Sequence, residues 1–262
     1  MRKYFLKLID SIPLSPFIAR PFYEFFSRFV LNNTNIRHFK PSIINSYDHE
    51  NTPSYLIELS LKIIYLATKT HLRFTNPSNE LNQFINKFPG EHYRFLNAIV
   101  RETMANNIVE IGTYTGMGTL SLCYDIPQEV KITTYDIIDW KKIDKPSSLL
   151  PIHFENYNLN QKIGDLSDPL FFEKNLDLLN EADIIFMDGP KDNNFEYKMA
   201  LNFLKLNKKK QKYLIIDDIK FVNMVDFWRS VKSPKIDITS FVHWSGTGLI
   251  DISDGFKFEL NK

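Results

Sequence analysis

Between residues 89 and 252, short apolar runs alternate with stretches in which apolar side chains recur every three or four positions. The first pattern predicts strands and the second helices. Runs at 108–111, 131–136, 159–163, 182–188 and 213–217 are of strand length, and each is assigned a strand. The stretches 89–101, 169–178, 195–206 and 222–231 are assigned helices. Strand and helix taking turns in this way predicts a doubly wound, Rossmann-like α/β sheet. The end changes character. Residues 236–244 and 249–252 are two β runs joined by Ser245-Gly246-Thr247-Gly248, which predicts a terminal antiparallel hairpin.

Residues 1–85 read as a helical N-terminal appendage to a domain spanning 86–262. Tyr4, Phe5, Leu8, Ile9 and Ile12 recur at helical spacing, as do Phe22, Phe25, Phe26, Phe29 and Val30 after Pro21, with Arg2, Lys3, Lys7, Arg20 and Arg28 among them. Two readings stand: helices that pack onto the domain or across a homodimer, and an interfacial helix lying on an anionic membrane. Residues 57–74 are a further helix candidate, and Asn76-Pro77-Ser78-Asn79 reads as a linker. No run approaches the ~20 continuous apolar residues of a membrane span. Lys7, Asp10, Pro13 and Pro16 interrupt the opening stretch, so a signal peptide is not expected.

Composition changes this picture little. With 32 basic against 31 acidic residues in 262, the net charge of +1 gives no reason to expect bulk nucleic-acid binding. A lone Cys123 excludes an intrachain disulfide and a cysteine-based zinc site, and a reducing, cytoplasmic setting is expected.

The chemistry concentrates at the strand ends. Ile108 to Thr119 reads strand, glycine turn, helix, with glycines at 112, 116 and 118. Such a turn lets backbone approach a ligand closely, and the helix that follows offers free N–H groups to an anion. Asp136 ends the second strand, where an acid can accept from ribose hydroxyls. Asp165, after Gly164, is placed to touch an adenine amine, and Trp140 to cover the adenine face. The dinucleotide fingerprint fails because Tyr114 and Met117 stand where glycines are needed. What is present, Glu110-x-Gly112-x-x-x-Gly116, resembles motif I of class I S-adenosylmethionine (SAM) methyltransferases. The alternative is a glycine-rich turn with no ligand.

The fourth strand runs into Asp188-Gly189-Pro190-Lys191-Asp192 and the fifth into Asp217-Asp218. Acids crowding at neighbouring strand ends favour a cation, and all-oxygen ligation points to Mg²⁺ or another divalent ion. Consecutive strand residues face opposite ways, so Asp217 and Asp218 can both ligate only if the chain leaves extended geometry there. Otherwise one is a ligand and the other a cap or salt-bridge partner. His92, His243 and Trp244 read as a helix-start residue and as core or pocket-wall residues.

The fourth-strand segment resembles the matching stretch of the cation-dependent catechol O-methyltransferase family, as does Glu110 to Gly116 with its tyrosine. The resemblance covers about residues 89–252. It implies the seven-stranded methyltransferase version of the fold, with Glu110, Gly112 and Tyr114 lining the SAM site and Asp136 holding the ribose; Gly116, Gly118, Asp165 and Asp188 complete the expected cofactor-contacting set. It further implies that Asp188, Asp217 and Asp218 bind the metal, with Asp188 and Lys191 catalytic and Lys191 the general base. A lysine beside a cation is expected to have its pKa pulled down. Asp218 stands where that family has Asn, as in metal-dependent sugar O-methyltransferases of antibiotic pathways. Gly189 and Pro190 replace larger residues beside the substrate. The expected acceptor is therefore a small hydroxylated molecule, a sugar or phenolic diol. A nicotinamide-dependent oxidoreductase and a non-catalytic binding domain are the alternatives.

Overall fold

The structure is a computed structural model that describes residues 52–74, 85–209, 211–221 and 224–259. The helices expected over 4–12 and 22–30, the linker at 76–79, and any membrane or dimer contact through 1–51 lie outside the described residues. Those residues belong to one compact unit, Ser42–Lys262. Among them, no helix is long and apolar enough to cross a membrane.

The elements in chain order begin with α1 (Ser54–Lys69), α2 (His92–Thr103), β1 (Asn107–Ile111), α3 (Met117–Cys123), β2 (Lys131–Asp136) and α4 (Pro151–Asn156). They continue with β3 (Leu159–Ile163), α5 (Pro169–Lys174), α6 (Leu176–Glu181), β4 (Ile184–Met187), α7 (Asn194–Phe203) and β5 (Tyr213–Asp217). The chain closes with α8 (Met224–Ser230), β6 (Lys235–Asp237), α9 (Thr239–Val242) and β7 (Thr247–Asp251). The sheet order is β3-β2-β1-β4-β5-β7-β6. The first five strands are mutually parallel, and β7 runs antiparallel to both β5 and β6. Strand order reverses between β1 and β4, the place where sheets of this kind bind ligands, outside the carboxyl ends of the strands.

The central strands bury both faces, which is why they read as continuous apolar runs. Ile108, Ile184, Phe186, Ile215 and Leu249 face one core, shared with Leu56, Ile63, Phe95, Leu96 and Ile99 of α1 and α2 and with Leu120 and Leu122 of α3. Val109, Ile111, Ile185, Met187, Leu214 and Ile216 face the other, with Phe172, Leu179, Met199, Phe203 and Phe227. Each such side chain contributes on the order of 1.5–3 kcal/mol of burial free energy.

The strand expected over 182–188 shortens to Ile184–Met187 and the helix expected over 169–178 forms as α5 and α6; two larger differences go further. Helix α1, expected within the appendage, packs on α2 inside the compact unit. It is tied further by Thr52 Oγ1 donating to the Lys235 carbonyl at 2.6 Å and by the Tyr55 hydroxyl donating to Asp251 Oδ2 at 2.7 Å. Packing therefore draws the domain edge upstream of residue 86. The second difference is the expected hairpin, whose pairing forms but whose shape does not. Residues 236–244 are not one strand, because Asp237 Oδ1 accepts from Thr239 N at 3.0 Å, an Asx turn that stops β6 and starts α9. β7 in turn begins at Thr247, inside the expected turn. Helix α4 was not foreseen at all.

Candidate functional site

Backbone builds one half of the site. After β1, Gly112 takes φ +104° and its N–H donates to the Tyr135 carbonyl at 2.8 Å. A Cβ there would lie 2.2 Å from the Asp188 carbonyl oxygen, so only glycine fits. Gly116 at φ +82° caps α3, and a side chain would run into Leu149. Tyr114 also takes a left-handed φ of +43°, which aims its N–H at Asp136 Oδ2, 2.8 Å away. The other Asp136 oxygen accepts from Ile138 N at 3.0 Å. Asp136 is thereby held at the carboxyl end of β2 facing the glycine turn. Thr113 Oγ1 contacts Thr134 Oγ1 at 2.7 Å and accepts from Gln161 Nε2 at 3.1 Å, tying the ends of β1, β2 and β3 together.

Other expected cofactor residues lie nearby in different surroundings. Asp165 is exposed past β3, and its Oδ1 accepts from Ser167 N at 2.8 Å. Trp140 stacks on Phe154 with ring centroids 5.3 Å apart. Glu110 is only 1% exposed and sits under α3, where Thr119 Oγ1 donates to its Oε2. Its Oε1 has no hydrogen-bond partner among the described residues and would lie 2.4 Å from a Cβ at Gly118. Burial pushes the Glu110 carboxyl up to about 8, against the pull of the Thr119 hydroxyl.

Side chains build the other half. Asp188 follows β4, its N–H donating to the Ile111 carbonyl at 2.9 Å, and Asp217 is the last residue of β5. Asp218 then takes φ +59°. This left-handed step answers the facing problem, since it turns the second acid back toward the first. Asp188, Asp217 and Asp218 each bring a carboxylate oxygen within 4.8 Å of the others. Lys191, itself at φ +54°, reaches into the group, donating to Asp188 Oδ1 and lying 3.1 Å from Asp218 Oδ2. Its backbone N–H is fixed by Glu196 Oε1 at 2.9 Å.

The electrostatics follow from this packing. Burial, then Asp218 and Asp188, drive the Asp217 carboxyl well above its usual range. Burial also pushes Asp218 upward, but Lys191 outweighs it and the group ends below the ordinary value. Burial alone would lower Lys191, yet Asp188, Asp218 and Asp217 raise it well above an ordinary lysine. The neighbours that set this direction are carboxylates, and the lowering expected of a lysine beside a cation belongs to the ion-loaded site. Paired this way, Lys191 is an ammonium. The donor set itself fits a divalent ion: three carboxylates converge, one of them buried, and among the described residues Lys191 is the lysine that pairs with them.

The structure also gathers residues to which the sequence reading gave no firm role. His92 at the start of α2 and His243 after α9 are both buried, with ring centroids 4.1 Å apart. Tyr93 packs on His92, and His243 Nε2 lies 4.0 Å from Asp218 Oδ1. Burial, then His243, holds His92 down at about 3. No local pattern could have linked them, since α2 and the β6–β7 connection meet only through the folded sheet.

Over residues 68–226 the chain matches the O-methyltransferase family. A caffeoyl-CoA O-methyltransferase 1 of Eucalyptus globulus is 29% identical over 158 residues, covering 52% of this chain and 58% of the relative. A probable caffeoyl-CoA O-methyltransferase 3 of Dictyostelium discoideum is 23% identical over 148 residues, covering 54% and 56%. The chain thus spans little more than half the length of these curated relatives. The crystal structure of the O-methyltransferase TomG from Streptomyces achromogenes, in complex with SAM, aligns at 16% identity with a TM-score of 0.45, covering 77% of this chain and 90% of that one. The matched segment takes in the glycine turn, Asp136, Asp188, Lys191 and the Asp217-Asp218 pair, and by that match the chain belongs to the O-methyltransferase family.

Proposed function

We propose that this protein transfers a methyl group from SAM to a hydroxyl of a small molecule carrying neighbouring oxygens, with a divalent cation at Asp188, Asp217 and Asp218. One observation carries the reading. The glycine turn and the acid cluster share a wall, with Gly112 packed against the Asp188 carbonyl. A cofactor on the turn and an acceptor on the acids would therefore be neighbours, which is what an in-line displacement needs.

When bound, SAM would supply the electrophilic methyl. A divalent ion would supply charge that lowers the pKa of an acceptor hydroxyl. The chain's own residues do the rest. The turn around Gly112 and Gly116 keeps side chains off the cofactor's path. Asp136, anchored by two backbone N–H groups, orients its carboxylate toward a ribose. Asp188 stands between the two halves, with its backbone against the turn and its carboxylate in the acid cluster. Lys191 offsets the acids, and it accepts a proton only in a state where Asp188 and Asp218 have other partners.

Purified protein incubated with SAM, Mg²⁺ and a panel of catechols and sugar vicinal diols should release S-adenosylhomocysteine with at least one acceptor. Asp188→Asn should lower that rate at least about a hundredfold, since even residues behind metal ligands are worth 10–100-fold. Full activity in Asp188→Asn, or activity unaffected by a chelator, would sink the cation-assisted reading.

A further inference from the structure

We propose a second divalent-cation site, formed by His92, His243 and Asp217, which takes a transition metal such as Zn²⁺ or Co²⁺ and shares Asp217 with the all-oxygen cluster. One donor atom from each of these residues lies within 4.8 Å of the other two, and all three side chains are buried. Bonds of about 2.0–2.1 Å require donors roughly 3–4 Å apart, so the set as it stands is within about 1–2 Å of closing on an ion. Asp217 has two carboxylate oxygens and can serve both clusters, as carboxylates do in paired metal sites.

Two observations point to a ligand and not to simple core packing. His243 is 8% exposed, yet its Nδ1 has no hydrogen-bond partner among the described residues. A buried imidazole nitrogen left this way is costly unless something meets it. On the other ring, His92 Nδ1 lies 3.3 Å from the Pro89 carbonyl, which can only accept. The proton therefore sits on Nδ1, and the Nε2 lone pair is left for another partner. An imidazole that donates one N–H to a backbone carbonyl and offers its other nitrogen is the arrangement metal-ligating histidines adopt.

The donor types separate this site from its neighbour. Two imidazoles and one carboxylate suit Zn²⁺, Co²⁺ or Ni²⁺, whereas three carboxylates suit Mg²⁺ or Mn²⁺. Three protein ligands also leave a coordination position open, the pattern of sites that bind an exogenous molecule. The site opens no new element of the fold: α2 brings His92, β5 brings Asp217, and the segment after α9 brings His243.

The test uses the full-length protein with Co²⁺ alone as probe. The unmutated protein should bind two equivalents, and its bound Co²⁺ should give two hyperfine-shifted imidazole N–H resonances. His92→Gln and His243→Gln should each lose one equivalent and weaken that site at least about a hundredfold. Asp188→Asn should keep the imidazole resonances even where it loses the other ion, which separates failure here from failure of the acid cluster. Absence of the shifted resonances from the unmutated protein overturns the proposal without any variant. Unchanged binding in both histidine variants, or a single ion lost equally from all three variants, overturns it as well.

Discussion

The two halves of the crevice are made in different ways. The glycine turn after β1 is a backbone structure, whose shape comes from left-handed steps at Gly112, Tyr114 and Gly116 within five residues. The acid cluster is a side-chain structure, assembled from β4 and β5 and held by Lys191. The turn places dipoles that need no counter-charge, and its residues are neighbours in sequence. The acids repel one another, and they tolerate that proximity because Lys191 is buried among them. A backbone site is therefore robust to charge, while a side-chain site depends on what occupies it.

The place where the halves touch gives the strongest test. Gly112→Ala puts a Cβ against the Asp188 carbonyl and strains φ +104°, so it should cost about 4 kcal/mol of stability in urea unfolding. It should also weaken SAM binding and Co²⁺ binding together. Loss of one alone would mean that the halves are mechanically independent.

Glu110 distinguishes burial from charge within the turn. Its folded pKa of about 8 lies above the unfolded value of about 4.3, so its contribution is full at acid pH and is lost as pH rises through about 8. Asp188 and Asp136 act on it in the same direction. Glu110→Gln should therefore gain stability relative to the parent on going from pH 5 to pH 8, by about 1–3 kcal/mol at neutrality. A difference between the two proteins that does not change with pH would show that the carboxyl is not neutral in the fold.

The smallest effect is expected at Asp136, where Asp136→Asn keeps an acceptor for Tyr114 N but removes the charge. SAM affinity by titration calorimetry should fall about tenfold, the value of one hydrogen bond to a charged group. An unchanged affinity would move the ribose contact elsewhere.

Much of the fold was legible because local signals and burial agree. β2 and β5 match their expected bounds end to end, as strands buried on both faces should, while β3 keeps its bounds as a mostly polar edge strand with Leu159 alone buried. The glycine turn was legible for the same reason, since its residues are contiguous. Helix α9 was not, because one Asp237 side chain overrides β-forming neighbours. Nor was the placement of α1, because an amphipathic face does not name its partner.

By itself, then, the sequence determined the alternation of strands and helices, the turn, and which acids end which strands, because each depends on residues within a few positions of one another. Only the tertiary structure decided that Asp218 turns back beside Asp217, that Lys191 is locked among carboxylates, and that His92 meets His243. Those outcomes rest on a left-handed step at a non-glycine residue and on contacts between segments far apart in the chain. Such contacts form only when the sheet register brings the strand ends to one edge.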